Sequence, residues 1–189
     1  MGGWIFAAAL IALLVYGMVI YNSLVNLRHS ITKAWANIDV ILKQRHDELP
    51  KLVETCKQYM QFESQTLEKV MHARAALEAA RERGDVKAVG TAEAQVRMGL
   101  GGIVATAEAY PELKSNQSIQ QLVARVTGLE NAISDRREFY NEYVNANNIR
   151  IEQIPDVIVA RLGGFREAAL LEFSAEEKQD VDMRQLFRS

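Results

Sequence analysis

The stretch Met1–Leu27, MGGWIFAAALIALLVYGMVIYNSLVNL, contains no charged side chain and leads directly into a long chain with heptad spacing of apolar residues. A bilayer core about 30 Å thick needs roughly 20 apolar residues in helical form. The segment Trp4–Tyr21 nearly supplies that length. Trp4 and Tyr21 lie near its two edges, where aromatic rings prefer the membrane interface. We therefore predict one transmembrane helix, within an anchor at residues 1–27.

A cleaved secretory signal is the alternative interpretation of this stretch. Such a signal needs a basic segment before the apolar run and a small-residue cleavage site after it. No Lys or Arg precedes Trp4, and Ala7–Ala9 lies inside the run. These features favour an uncleaved anchor. The basic residues that follow, Arg28 and Lys33 among them, favour a cytoplasmic C-terminal domain by the positive-inside bias.

Composition narrows the function classes. The 189 residues include 22 Lys and Arg against 24 Asp and Glu, with a net charge of −2, which argues against a nucleic-acid partner. The single cysteine excludes an internal disulfide framework and a cysteine-rich zinc site. About 160 residues outside the membrane are enough for one domain with its own core.

Apolar residues recur in steps of four and three from Ile31 to Leu77. A repeat of 3.5 residues marks the seam of a left-handed helix packing. The phase is kept across Pro50, so we predict a kink or local break there and a first helix that runs from the membrane almost to Arg83. The residues expected in the bundle core are Trp35, Ile38, Leu42, Leu52, Leu122, Leu129 and Ile133.

The sequence Arg81–Asp85, RERGD, predicts a helix stop followed by a new N-cap. The second helix should end at Tyr110, because the residue before a proline is pushed out of the helical region. Gly99, Gly101 and Gly102 lie inside this helix. They indicate either a close helix crossing or hinge, or a weak and kinked helix.

A third helix is predicted after the polar turn at residues 114–118 and should fade at Asn145–Asn148. Three long helices with short turns run antiparallel. The second helix is less than half as long as the first, so the Tyr110–Ser118 turn should lie beside the middle of helix one. A short helix is predicted over Asp156–Leu162, ended by Gly163. We divide the chain into an anchor at 1–27, a bundle at 28–150, and the short helix with a loosely held tail at 151–189.

The search for chemistry finds no enzyme motif. His29, His46 and His72 are too far apart along the chain to share one helical turn, and Cys56 falls on the apolar seam. We therefore predict no catalytic, cofactor-binding or metal-binding residues, no cofactor, and a protein that is not an enzyme. Four charged residues fall on seam positions and predict Arg–Glu pairing across the bundle: Arg45, Glu63, Glu93 and Arg136.

Several ordered blocks together resemble the LemA family, which includes MamQ-like proteins. The blocks are Tyr21–Arg28 (YNSLVNLR), Ala34–Val40 (AWANIDV), Leu42–Thr55 (LKQRHDELPKLVET), Glu108–Asn116 (EAYPELKSN) and Leu129–Ile133 (LENAI). The resemblance implies a bacterial membrane protein, all-α, with an N-terminal membrane helix and an elongated antiparallel helical bundle. The family has no established catalytic residues, so none is transferred to this chain. The ending around Phe187 departs from the family pattern, which makes the terminal segment the least transferable part.

Two functions remain open on this basis. The first is a non-catalytic scaffold at the bacterial inner membrane that self-associates into a homo-oligomer. Gly3 with Ala7, and Ala8 with Ala12, offer the small-residue spacing that lets membrane helices approach closely. The alternative is an adaptor that recruits an envelope protease, a signalling protein or a membrane-remodelling partner. The segment between Tyr21 and Ile31 contains no Pro or Gly, so the membrane helix should continue directly into the first bundle helix.

Overall fold

The computed structural model describes residues 2–58, 64–108, 110 and 115–172. Within these ranges the chain forms five helices and no strand. The predicted all-α class and antiparallel bundle are confirmed. The helices are α1 (Gly2–Lys57), α2 (Ser64–Glu82), α3 (Val86–Glu108), α4 (Gln117–Glu152) and α5 (Asp156–Leu162).

The chain divides into two compact units. The first unit comprises Met1–Asn37 and Arg136–Leu170, and the second comprises Ile38–Asp135 and Leu171–Ser189. Two helices, α1 and α4, contribute residues to both units.

The second unit is built from the later part of α1, all of α2 and α3, and the first half of α4. Two side-chain contacts set the direction of α2: Arg81 binds Asp39, and Arg74 binds the carbonyl oxygen of His46. As the residue number rises along α2, the partner's number falls along α1. The two helices are therefore antiparallel.

The predicted core is confirmed in large part. Ile38, Leu42, Leu52 and Ile133 are fully buried. The other three predicted core residues are half-buried: Trp35, Leu122 and Leu129. Each fully buried Leu or Ile contributes roughly 1.5–3 kcal/mol by removal from water.

The predicted extent of the first helix is wrong. α1 ends at Lys57, and a separate helix begins at Ser64. The break is not at Pro50, which lies inside α1. The heptad pattern did not reveal the reversal because both helices turn an apolar stripe to the same core, with Cys56 buried on α1 and Leu67 buried on α2. The predicted seam residues Tyr59 and Glu63 lie outside the described residues.

The turn between the second and third helices lies beside the part of helix one where the sequence placed it, near the middle of the predicted helix Ile31–Arg83. A common hollow is lined by Leu52 near the end of α1, Ile103 near the end of α3 and Val123 near the start of α4. The end of α3 and the start of α4 therefore lie near the end of α1. The difference from the prediction is that α1 ends there, because the chain reverses between Lys57 and Ser64. Residues 111–114 of the turn lie outside the described residues.

The stop between α2 and α3 forms as predicted. Gly84 has φ +65°, a left-handed conformation that glycine adopts without steric cost. Its N–H donates to the carbonyl of Arg81 at 3.0 Å, and the Asp85 N–H donates to the carbonyl of Ala80 at 3.1 Å. The Asp85 carboxylate then accepts the Ala88 N–H at 3.0 Å and caps α3.

The predicted cap and end of the third long helix differ in outcome. Asn116 caps α4 as expected, since its side-chain oxygen accepts the Ser118 N–H at 2.9 Å. However, α4 does not fade at Asn145–Asn148 and continues to Glu152. The Asn148 amide exchanges two hydrogen bonds with the backbone of Ala168, at 2.9 and 3.0 Å. These asparagines bind a returning segment of the chain and do not end the helix.

The first unit contains the candidate membrane span. α1 is one helix through the segment between Tyr21 and Ile31, as predicted. Its N-terminal part is long and apolar enough to cross a membrane, and almost all of that part is exposed. The predicted short helix forms at α5. Beyond the exposed span, the unit has a small core of Ile20, Leu24 and Ala160.

The glycines of α3 mark a close helix crossing, the first of the two alternatives. A Cβ atom added at Gly99 would lie 2.7 Å from the Val70 side chain of α2, and one at Gly102 would lie 3.3 Å from Thr66. A Cβ atom at Gly101 would meet nothing within 4 Å. Gly99 therefore allows α2 and α3 to approach, whereas Gly101 faces open space.

Gly99→Ala and Gly101→Ala form a matched pair two residues apart. Gly101→Ala should raise the free energy of unfolding by up to ~1 kcal/mol, because alanine favours helix. Gly99→Ala should lower it by about 1–3 kcal/mol, because the new methyl group overlaps Val70. Chemical denaturation of the full chain in detergent, followed by circular dichroism, measures both. Equal stabilisation by the two variants would contradict the close crossing.

Candidate functional site

A buried ion pair lies at the centre of the second unit. Arg45 is fully buried, and its two terminal nitrogens each donate to one carboxylate oxygen of Glu93, the first at 2.7 Å. The predicted pairing of seam charges is confirmed here. Of the other seam charges, Arg136 is exposed, and Glu63 lies outside the described residues.

A second carboxylate approaches the same guanidinium. One Glu130 oxygen lies 3.8 Å from an Arg45 nitrogen, which is too far for a hydrogen bond. In the part of the chain that the structure describes, this oxygen has no hydrogen-bond partner. Burial raises the pKa of Glu130, while Arg45 and Arg97 oppose that rise. We call Arg45, Glu93 and Glu130 the Arg45 cluster.

The Arg45 cluster is a structural arrangement of charges. Its bidentate Arg45–Glu93 pair satisfies both oxygens of one carboxylate, and the Arg45 Nε has no hydrogen-bond partner among the described residues. A buried pair of this kind is costly to break because one charge would remain unpaired. It holds α1 and α3 in one register.

A neighbouring carboxylate is bound from the surface. Glu48 is buried, and one of its oxygens lies 3.2 Å from Lys51 and 3.2 Å from Arg125. Both basic side chains are mostly exposed. The two cations neutralise Glu48 at the rim of the bundle.

His46 is part of a hydrogen-bonded network between α1 and α2. An Arg74 nitrogen lies 2.6 Å from Nε2 of His46, and Glu78 lies 3.5 Å from Nδ1. Burial and then the charge of Arg74 lower the pKa of His46. A neutral His46 accepts from Arg74 at Nε2. The side-chain hydrogen bond from Arg81 is the main cause that lowers the pKa of Glu78.

The remaining candidate groups do not assemble into a catalytic or metal-binding site in the described parts of the chain. His29 and His72 are exposed. Cys56 is buried, and burial raises the pKa of its thiol. Within the described ranges, no three His, Cys, Asp or Glu side chains group to hold a metal ion. The predicted absence of site residues stays a prediction.

A hollow of about 380 Å³ lies between α2 and α3. Met98 at its edge is 72% exposed. Its lining combines small residues with polar side chains and includes one lysine and one histidine. The lining residues are Thr66, Lys69, His72, Ala73, Gln95, Met98, Gly99 and Gly102.

A polar contact lies at the base of the candidate span in the first unit. Arg150 on α4 donates to Asp156 at 2.7 Å and to the hydroxyl of Ser23 on α1. Asp156 is buried. Sequence reasoning missed this group because Ser23 and Arg150 are far apart in the chain and neither belongs to a local motif.

An aromatic contact lies next to it. The Phe165 ring meets the Tyr21 ring edge-on at 5.6 Å, and the Arg28 guanidinium lies 5.6 Å from the centre of the same ring. Both geometries are favourable, since ring edges and cations are attracted to the face of an aromatic ring. Phe165 thus ties the chain after α5 to α1.

The first unit also has an exposed stripe on α4, which we call the aromatic stripe: Arg136, Phe139 and Tyr143. Phe139 is 60% exposed and Tyr143 is 39% exposed. Their spacing of three and four residues places them on one face of the helix. The sequence had placed Arg136 on the buried seam. That placement is wrong because the buried positions of α4 after Ile133 are Tyr140, Val144 and Asn147.

Breaking the Arg45 cluster should be costly. Glu93→Gln leaves the buried Arg45 without its carboxylate and should lower the free energy of unfolding by about 3–5 kcal/mol. The matched control is Glu54→Gln, which removes an exposed pair with Lys57 at 3.4 Å and should change stability by less than about 1 kcal/mol. Chemical denaturation compares them. Equal small losses would contradict the assigned burial.

Glu130 should give the protein a specific pH dependence. Its folded pKa is raised from 4.5, so the unfolded chain loses its proton first as the pH rises. The contribution of Glu130 to stability therefore falls from about pH 4.5 up to the raised folded pKa. Glu130→Gln removes this loss, and its stability relative to the unmodified chain should increase over that window. A difference that does not vary with pH would contradict the raised pKa.

Comparison with known proteins shows which family this chain belongs to. The chain is 28% identical to magnetosome protein MamQ 2 and to magnetosome protein MamQ 1, both of Paramagnetospirillum magneticum, over 89 residues. Each match covers 47% of this chain and 33% of the relative, so the matched part is about a third of the length of these curated relatives. The model of the LemA family matches residues 34–184, which is most of the chain. Because this match covers most of the chain, the chain belongs to the LemA family.

Proposed function

We propose that this chain is a non-catalytic, membrane-anchored helical scaffold that self-associates at the bacterial inner membrane. The observation that carries the proposal is the aromatic stripe of Arg136, Phe139 and Tyr143, which is exposed on α4. Arginine and aromatic side chains are enriched in protein interfaces relative to the rest of the surface.

The stripe differs from ordinary surface residues. Single exposed apolar side chains are common on protein surfaces. Phe139 and Tyr143 instead lie one helical turn apart, and Arg136 lies on the same face one turn before Phe139. Covering them would remove aromatic surface from water at a gain of about 25 cal/mol per Å². A second copy of the chain presents the same stripe, which suits an interface with two-fold symmetry.

The candidate span offers a second surface for self-association. Gly3 and Ala7 are four positions apart, as are Ala8 and Ala12, and all four of these residues are exposed. Small residues at this spacing let membrane helices approach closely. The two surfaces supply contacts inside and outside the lipid.

The placement in the membrane follows the same proposal. Residues 1–27 form the anchor, 28–150 the bundle, and 151–189 the short helix and tail. The basic residues after the span, beginning with Arg28, favour a cytoplasmic C-terminal part. A net charge of −2 favours protein or membrane partners over nucleic acid.

An adaptor function is the second candidate. The hollow between α2 and α3 and its exposed Met98 favour it, because flexible methionine side chains suit surfaces that bind varied partners. The partner would be an envelope protease, a signalling protein or a membrane-remodelling protein. Crosslinking in cells followed by mass spectrometry separates the two functions. Reproducible heterologous crosslinks at α2 and α3 favour the adaptor, and self-crosslinks at α4 favour the scaffold.

The scaffold proposal predicts an oligomer that a change in the aromatic stripe should dissociate. In nanodiscs, the chain should have a protein mass of at least twice 21.2 kDa. Phe139→Ser with Tyr143→Ser should shift the population toward the monomer, because the stripe loses both aromatic rings. The matched control is Ile149→Ser, an exposed apolar residue on the same helix about 120° around the axis from Tyr143.

Native mass spectrometry of the three proteins gives the result directly. The control should keep the mass of the unmodified chain. A strictly monomeric unmodified chain would contradict self-association, and an oligomer that the double variant leaves intact would exclude the aromatic stripe as its interface.

A further inference from the structure

Three large apolar side chains around α5 lie in solvent in the isolated chain. Ile154 is 86% exposed, Ile158 is 59% exposed and Leu162 is 85% exposed. Ile158 and Leu162 are four residues apart and lie on one face of the short helix, and Ile154 lies in the turn before it. We call this row the α5 apolar face.

The opposite face of α5 packs against α1. Ala160 is buried in one cluster with Ile20 and Leu24, and Val159 packs against that cluster. α5 therefore has apolar side chains on two faces. Its inner face packs against the base of the candidate span, and its outer face exposes large apolar side chains. Neither face resembles a solvated surface.

The depth of α5 along α1 identifies what covers its outer face. Leu162 lines a hollow with Leu14, Gly17 and Met18 of the apolar span, and Tyr21 and Asn22 line the same hollow at the end of the span. Met18 precedes Asn22 by about 6 Å along the helix and Leu14 precedes it by about 12 Å, at 1.5 Å per residue. Asn22 is the first polar residue after the span. The hollow that Leu162 lines therefore extends from the expected water boundary about 12 Å toward the lipid side.

Residues 2–21 make a helix of about 30 Å, which matches the thickness of the hydrocarbon core. A span of this length includes the stretch of α1 on which α5 packs.

The charges near α5 fit this depth. The carboxylate of Asp156 is buried and bound by Arg150 at 2.7 Å, so the helix presents no uncompensated negative charge there. The Arg28 guanidinium stacks on Phe165, one helical turn beyond Leu24. Arg161 on α5 is exposed and long enough to place its charge at the headgroups while its stem stays in apolar surroundings.

We propose that α5 is a second membrane-contacting element, with Ile154, Ile158 and Leu162 inserted among the lipid acyl chains of the leaflet nearest the bundle. The inference rests on the crossing of the membrane by residues 4–21 and not on self-association. The chain is then held by a span and by a half-submerged wedge beside it. The occupant of the α5 apolar face is lipid because that face continues the exposed surface of the span.

Site-directed spin labelling tests the occupant directly. Single cysteines at positions 158 and 162 in the Cys56→Ala background place labels on already exposed side chains, in the full chain reconstituted in phosphatidylethanolamine–phosphatidylglycerol nanodiscs. Leu14→Cys is the lipid control, and Glu142→Cys, at an exposed position of α4, is the water control. Circular dichroism confirms that each labelled protein keeps its helicity.

Collision rates with oxygen and with a water-soluble nickel chelate distinguish lipid, water and protein. The ratio of oxygen to nickel collisions at 158 and 162 should approach the ratio at Leu14 and exceed that at Glu142 several-fold. A nickel collision rate equal to that at Glu142 would overturn the inference, because water would then cover the face. Low rates for both reagents would also overturn it, since a second copy would cover the face instead.

Failure of this inference and failure of the scaffold are separable. A water-exposed label at Leu14 would show that the anchor itself is misplaced. Lipid-facing labels at 158 and 162 in a protein that native mass spectrometry finds monomeric would support the wedge and contradict the scaffold.

Discussion

One helix carries two kinds of surface, and the rest of the structure depends on where it changes from one to the other. Along α1 the side chains from Trp4 to Val19 are exposed and apolar, whereas Ile20 and Leu24 are buried against other parts of the chain. An exposed apolar helix of that length is long enough to cross a membrane. In a bilayer a single segment must make every backbone hydrogen bond within itself, which a helix does. The helix continues past its apolar part, and the residues that follow pack in the protein core.

The second unit solves a different problem, which is to fix one register among four packed helical segments. Apolar seams allow neighbouring registers with similar burial. A buried Arg45 that binds Glu93 through both oxygens removes that freedom, because a shift of one turn would leave two charges unpaired. Glu130 lies close without completing a hydrogen bond, and burial raises its pKa. The unit thus combines an apolar core with a fully buried, bidentate ion pair.

Local chemistry made several elements predictable, and contacts between distant residues did not. Gly84 and Asn116 end or begin helices by hydrogen bonds within five residues, so their roles were visible in the sequence. The chain reversal between Lys57 and Ser64 was not visible, because the heptad phase is the same for a continuous helix and for a hairpin that shares a core. Within the candidate site, the predicted Arg–Glu pairing formed at Arg45. The contact of Arg150 with Ser23 depends on the fold and has no local signal.

The seam on α4 shows why a strict heptad misleads over a long helix. An α-helix has 3.6 residues per turn, so a 3.5-residue repeat drifts by about 20° in every heptad. The buried residues step from Ile133 to Tyr140, then to Val144 and Asn147. The drift leaves Tyr143 exposed and turns it into part of the aromatic stripe. Two polar side chains near the end of α4, Asn147 and Asn148, donate hydrogen bonds to the backbone carbonyls of Arg166 and Ala168.

α1 is one uninterrupted helix from the apolar span into the protein core. Spin labels at Asn22 and Asn26, where the span ends, test it most directly in the full chain embedded in a bilayer. The account predicts slow, anisotropic motion at both positions, because the helix is continuous and packed at Leu24. Fast, isotropic motion at both positions would show a flexible joint and would contradict the account.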